Sequence, residues 1–332
     1  MPPAMPPIPA TSRLLLSMAL LSPAIGILAT HGAHAADYPT RPVRVIVPFV
    51  AGGGTDLLAR FVSQRLTDAL GQQFVVDNRG GAGSVLGTQI LAKSAADGHT
   101  LGVLDTAFAI NHSYADKLPY DSERDFVFVA IIATSPSLIV THPGLKVRTV
   151  QDLMALARRQ PGKITFGSAG VGSSGHLTLQ MFLTAAKINI LHVPYKGAGA
   201  AIVDVLGGHT DLVSVVPGSV TPHLKSGAMI PLVITGKQPY HLLPQVPTFA
   251  SVGLAEVNPG AFRFLAAPAG LPAAIQKKLT SAMRTAMEPP DFRTRLIDNG
   301  FDPELLTDAE ARAYIVQEMR KWRQAVKDAG AK

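Results

Sequence analysis

Apolar positions alternate along this chain between two periods. Residues 43–49 (VRVIVPF) form a short β-branched run that predicts a strand. Leu57, Leu58, Phe61, Val62, Leu66 and Leu70 then recur at helical spacing, predicting a helix over 56–70 that Gly71 stops. Strands are expected over 74–77 and 101–105, with a helix over 84–94 after a glycine loop at 80–83. The run 127–140 is long for one strand and is broken by Thr134, Ser135 and Pro136, so it is expected to cross between two lobes. Thr149 and Asp152 have the spacing of a capping box for a helix over 150–159. Strands at 163–166, 190–193, 211–216 and 230–235 then interleave with helices at 174–186 and 198–206. Residues 262–267 are expected to cross back. Helices follow at 272–287 and 290–299, and a last one is capped by Thr307 and Glu310, with Tyr314, Ile315, Met319, Trp322 and Val326 as its buried stripe. This alternation implies an α/β fold of mixed or parallel sheets flanked by helices. The expected lobes are 36–136 with 260–332, and 137–259.

Composition narrows the class. The 332 residues are 47% hydrophobic and 16% charged, which indicates a globular chain with ample core. The net charge of +7 is not gathered into a dense Lys/Arg run, and aromatics are only 6%, so no nucleic-acid partner is expected. There is no cysteine, which excludes disulfides, thiolate metal sites, a cysteine nucleophile and a lipidated cysteine anchor. Arg13 is the only charge before Asp37; the apolar stretch 14–28 follows it, then Ala33-His34-Ala35. Residues 1–35 therefore read as an export signal cleaved before Ala36, with the periplasm as the destination. The alternative, an uncleaved anchor, is disfavoured by the shortness of the apolar stretch.

One unit occurs twice: an apolar strand, a loop of glycines and hydroxyls, then an amphipathic helix. The copies are 43–62 and 163–182. Free N–H groups at such a helix start bind anions, so two copies suggest two lobes gripping one anionic molecule. In the first loop, Ala51-Gly52-Gly53-Gly54-Thr55-Asp56 lacks the lysine of a nucleoside-triphosphate loop. An ordinary turn capped by Thr55 or Asp56 is the plainer alternative. In the second, Gly170, Gly172 and Gly175 satisfy GxGxxG, the dinucleotide fingerprint of a Rossmann-type dehydrogenase, but the acidic residue expected about 20 positions on is missing. Ser168, Ser173, Ser174 and His176 invite a serine-hydrolase reading, yet there is no GxSxG. His176 is expected to pack against the loop or bond its backbone, with ligand contact as the alternative. The histidines show no metal-ligand pattern, and neither metal nor cofactor is expected. Tyr195 and the pair Asp105-Thr106 end strands where α/β sheets place ligands; Tyr195 could equally cap the core.

At these residues the chain closely resembles the substrate-binding proteins of tripartite tricarboxylate transporters, the Bug family. The resemblance spans the mature chain. It runs through Tyr38-Pro39, Val47-Pro48-Phe49, Gly52 to Asp56, Asp77-Asn78-Arg79, Leu118-Pro119-Tyr120-Asp121, Gly170 to Leu177, His192 to Gly197 and Val246-Pro247-Thr248. It implies a type II-like, two-lobe periplasmic binding protein (flytrap) fold that closes on its ligand, and no catalysis. It implies binding of a small organic carboxylate, held between the two glycine loops partly through ordered waters. The expected partners are that ligand and, transiently, membrane transporter subunits, with the receptor a monomer; a receptor reporting to a sensor is the alternative. Carried over, the first lobe uses Phe49, Ala51, Gly53, Gly54, Thr55 and Asp56. The second uses Ser168, Gly170, Ser173 and Ser174, with His176 a further candidate and Tyr195 nearby. The departures from the family pattern bear on ligand identity. Ser214-Val215-Val216-Pro217 stands where many members have an Asp-Asn pair before a proline, and the missing aspartate argues mildly against an amino acid. Phe262-Arg263-Phe264 replaces a usual Trp and small Gly, and residues 105–108 replace a glycine-rich stretch. Residues 105–108, Ser214 and 262–264, with Thr106 and Phe262 among them, are expected to decide which acid fits. Arg263 is expected at the surface, with pairing to a second carboxylate as the alternative.

Overall fold

Two mixed sheets of matching topology organise the chain. The computed structural model describes residues 1, 4, 38–114 and 117–328; the expected apolar stretch of the export signal and its cleavage site lie outside them. Among the described residues no helix is long and apolar enough to cross a membrane.

The first sheet contains β1 (Val43–Val47), β2 (Phe74–Asn78), β3 (Thr100–Asp105), β4 (Phe126–Ser135), β10 (Ala261–Pro268) and β11 (Asp302–Thr307), in the order β11-β4-β10-β3-β1-β2. The second contains β5 (Leu138–Thr141), β6 (Thr165–Ser168), β7 (Leu191–Pro194), β8 (Leu212–Val215) and β9 (Ile230–Ile234), in the order β7-β6-β8-β5-β9. In the first, β1 lies parallel between β2 and β3, so Val45 sits between Val76 and Leu101. In the second, β6 lies parallel between β7 and β8, so Gly167 sits between Val193 and Val213. An antiparallel strand follows in each: β10 beside β3, and β5 beside β8. Each central strand is thus a topological switch point, with a crevice at its carboxyl end. Both glycine loops leave from those ends.

The long apolar run at 126–141 is two strands in different sheets. Pro136 removes a backbone donor and forces its predecessor out of helix, so the ladder stops at Ser135. Beyond it, Ser137 N–H donates to Thr235 Oγ1 at 2.8 Å, tying the crossing to the end of β9. The chain returns ahead of β10.

Helix α1 (Gly54–Leu70) shows why these sequences fold locally. Leu58, Phe61, Val62 and Leu66 share one buried face, each contributing about 1.5–3 kcal/mol when removed from water. Gly71 ends the helix in the left-handed region at φ 72°, its N–H donating to Thr67 O. Helix α4 (Val150–Arg159) begins with the expected reciprocal capping box between Thr149 and Asp152. Along β1, Val45 and Val47 face α1 and α8 (Ala273–Met287), while Ile46 faces the opposite core with α10 (Ala309–Asp328), whose Ile315, Met319 and Trp322 are buried.

The elements absent from the sequence reading include a helix and an edge strand. Helix α3 (Ala107–Tyr114) is buried all round over 107–111 and so carries no amphipathic period. Strand β11 reads DPELLT, and it forms a sheet edge whose register with β4 shifts between Pro303 and Leu306. Residues of that kind are depleted in strands, and an edge tolerates a proline.

Candidate functional site

The first helix start grows from β1. Gly53 is the N-cap of α1, extended at φ −89° and ψ 169°, with no side chain capping the first turn. The free N–H groups there carry partial positive charge. Asp56 in that turn folds back on its own loop. Its carboxylate accepts from Gly52 N–H at 3.1 Å and Asn78 Nδ2 at 3.0 Å, and pairs with Arg60 at 3.0 Å. Its charge is answered locally. Thr55 Oγ1 donates to Asp105 Oδ2 at 3.0 Å.

The second start grows from β6 into α5 (Ser174–Ala186). The buried Ser168 hydroxyl accepts from Gly170 N–H at 3.1 Å and lies 2.7 Å from His192 Nε2. Gly170 takes φ 113°, a left-handed conformation that favours glycine. Ser173 is the N-cap, its Oγ accepting from His176 N–H at 3.3 Å. His176 Nδ1 accepts from Gly172 N–H at 3.3 Å, and its ring lies 4.4 Å from that of His192. Burial, and then His192, pull His176 down to about 4.

Between the two starts lies a cavity with about 50 Å³ open to the centre of a water molecule. Phe49, Gly53, Gly54, Thr55, Asp56, Asp105, Ala261 and Arg263 line it from the first sheet's side; Ser137, Ala169, Ser173, Ser174, Gly175, Ala198, Ser214, Val215 and Val216 line it from the second. Two polar atoms on this wall are buried without a hydrogen-bond partner, Ser214 Oγ and Arg263 Nε. Burial raises the Asp105 carboxyl against the opposing pull of Arg263, and burial pulls the Arg263 guanidinium down to about 10.

Of the residues expected to bind ligand, Phe49, Gly53, Gly54, Thr55, Asp56, Ser173, Ser174 and Ser214 line the cavity. The others lie off it. Ala51 is exposed. Ser168 and His176 hold the second loop through the bonds above. Gly170 and Tyr195 border a separate groove. The Tyr195 hydroxyl is engaged, donating to Asp204 at 2.6 Å. Thr106 Oγ1 accepts from Phe262 N–H at 2.8 Å, joining the end of β3 to β10, and the Phe262 ring is buried in the aromatic core. Arg263 is 3% exposed, which corrects its expected surface position. The strand period carries that signal. Phe262, Phe264 and Ala266 face one core while Leu265 and Ala267 face the other, so Arg263 must turn toward α1.

The neutral state of His176 gives a pH prediction. The unfolded chain takes up this proton below about 6.5, whereas the folded chain resists until about 4. This contribution to stability is therefore complete above about pH 6.5 and is lost as pH falls toward 4. His192, also lowered by burial, acts in the same direction. Protonated Nδ1 cannot accept from Gly172 N–H, so ligand affinity should fall in the same window. Urea midpoints across pH 4–7 for wild type and His176→Asn check this; equal pH slopes in the two would remove His176 from the account.

Matching sheets joined by two crossings, with helix starts meeting over one cavity, define a two-lobe solute-binding receptor. The chain belongs to the tripartite tricarboxylate transporter receptor family, TctC, whose model matches residues 58–331. Protein BugT of Bordetella pertussis is 35% identical over 97% of this chain and 98% of its own length. A solved R. palustris protein with adipate is 31% identical, with a TM-score of 0.85 over 89% of this chain and 99% of that one. MatC from Rhodopseudomonas palustris, with bound malate, is 29% identical, with a TM-score of 0.81 over 87% of this chain and 100% of that one. The family is one of receptors, so the dehydrogenase and hydrolase readings of the 170–175 loop are set aside.

Proposed function

We propose that this receptor binds a small organic carboxylate in the cavity between Gly53-Gly54 and Ser173-Ser174. It is exported to the periplasm, cleaved before Ala36, and acts as a monomer that hands its ligand transiently to the membrane subunits of a tripartite transporter. The observation that carries this reading is the convergence of two helix N-termini, α1 and α5, on one cavity. Each favours negative charge, and together they amount to roughly one positive charge facing the ligand. Adipate and malate in the similar R. palustris proteins support the same chemistry.

Function follows from population shift. Contacts to both loops exist only when the lobes meet, so ligand moves an open–closed equilibrium toward the closed form. The moving bodies are 36–136 with 260–332, and 137–259, hinged at the two crossings. The closed surface is what the transporter reads.

The test is a thermal-shift screen of the mature chain against carboxylates and their uncharged amides. A fitting carboxylate at 100 times its Kd should add about 2.7 kcal/mol, a shift of several degrees. Stabilisation by amides or cations alone would overturn the reading.

A further inference from the structure

Arg263 stands where the cavity meets the first turn of α1. A Cβ placed on Gly54 would lie 3.4 Å from Arg263 Nη2. Nη1 donates to Ser135 Oγ at 2.6 Å, and the guanidinium lies over the Phe301 ring at 5.3 Å. Nε has no partner. Among the described residues no carboxylate is in ion-pair contact with this buried cation. The charge that acts on it is Asp105, its cross-strand neighbour. Both Asp105 oxygens are engaged, with Ala107 N–H at 2.9 Å and Thr55 Oγ1 at 3.0 Å. A buried guanidinium left so loosely answered is costly unless something else contacts it.

The opposite wall has the same form. Ser214 Oγ is buried and without a partner, and it stands at the start of α5, where a Cβ on Gly175 would lie 3.7 Å from Ser214 Cβ. Each helix start thus has one unsatisfied side-chain donor beside it. A carboxylate seated beside one of these donors leaves the other free for a second anionic group.

We propose that Arg263 is the residue that sets ligand charge. It pairs directly with one carboxylate beside the start of α1, while Ser214 and the start of α5 take a second, so the receptor selects short dicarboxylates over monocarboxylates of equal length. The ligand exchanges the engaged, non-contacting Asp105 for a contacting counter-ion. The cavity between the two starts, with about 50 Å³ open to the centre of a water molecule, favours a short chain. This rests on the carboxylate reading and narrows it.

Calorimetry of the mature chain with succinate and butyrate, four carbons each, tests the proposal. Wild type should bind succinate roughly ten- to hundred-fold more tightly than butyrate, the worth of a hydrogen-bonded charge. Arg263→Met should bring that ratio to within about threefold of one, mainly by weakening succinate. Arg263→Lys, which keeps the charge and loses the planar fork, should retain part of the ratio and covers the case in which Arg263→Met does not fold. Equal binding of the two acids by wild type, or an unchanged ratio in a folded Arg263→Met, overturns the role of Arg263 alone. Binding of neither acid, nor of any other carboxylate, overturns the carboxylate reading with it.

Discussion

Gly199→Ala should weaken ligand binding roughly ten- to hundred-fold while leaving the folded chain as stable as before or slightly more so. Gly199 lies in the first turn of α6 (Ala198–Leu206), where alanine is the better helix former by about 0.8–1 kcal/mol. Within its own lobe the substitution is benign. Across the seam it is not, because a Cβ there would sit 2.1 Å from Ala51 O, on the other lobe. Real contacts at Cβ stay above about 3.0 Å, and the obstruction is backbone, which has no rotamer to change. Relief therefore requires the lobes to separate by about 1 Å.

The same condition recurs along the seam. A Cβ on Gly83 would meet Val171 O at 1.8 Å, and one on Gly80 would meet Lys196 O at 2.5 Å. Val50 N–H donates to Lys196 O across the seam at 3.3 Å. Closure thus brings main chain against main chain, which only glycine permits. Overpacking of this kind costs about 1–3 kcal/mol, charged entirely to the closed form. Apparent affinity falls by the fraction of molecules still able to close. Calorimetry reads the loss, and small-angle scattering should show that saturating ligand no longer compacts the variant fully. An unchanged affinity would mean that this seam is not the closed interface.

How far the chain could be read follows from where information sits in sequence. Both strand–loop–helix units were legible because each combines β-branched residues, clustered glycines and a helical stripe. The crossing at 134–136 was legible because Pro136 interrupts an otherwise continuous apolar run. The loops were found, but not which side of them faces the cavity. Ser168, Gly170 and His176 share a short stretch with Ser173 and Ser174, yet they brace the loop from behind while the two serines face inward. Spacing along a glycine loop has no period, so it cannot sort such neighbours. Arg263 is a different case. Strand alternation around it was present, but a lone arginine is ordinarily exposed, and only the two cores that take Leu265 and Ala267 on one side and Phe262, Phe264 and Ala266 on the other show that both faces of this strand are covered.

Phe108→Ala should destabilise the protein by about 3–5 kcal/mol and leave the order of ligand preference unchanged. Residues 105–108 were expected to help choose the ligand, and the structure divides them. Asp105, at the end of β3, lines the cavity. Phe108, in the first turn of α3, is 1% exposed and belongs to the core beneath the first sheet. Its ring meets Phe126 at 5.2 Å, Phe264 at 5.4 Å and Phe128 at 5.8 Å, each nearly edge-on, and stacks on Tyr120 at 6.3 Å. These are the favoured arrangements of aromatic quadrupoles, worth more than the buried area alone. Truncation removes four such contacts together and leaves a void that rigid neighbouring rings cannot fill. The same division applies to 262–264, where Phe262 and Phe264 pack in this cluster and Arg263 alone turns to the cavity. Urea unfolding gives the loss of stability, and calorimetry with mono- and dicarboxylates gives the preference order at a temperature where the variant is folded. A reordered preference with undiminished stability would place the Phe108 ring against the ligand and not in the core.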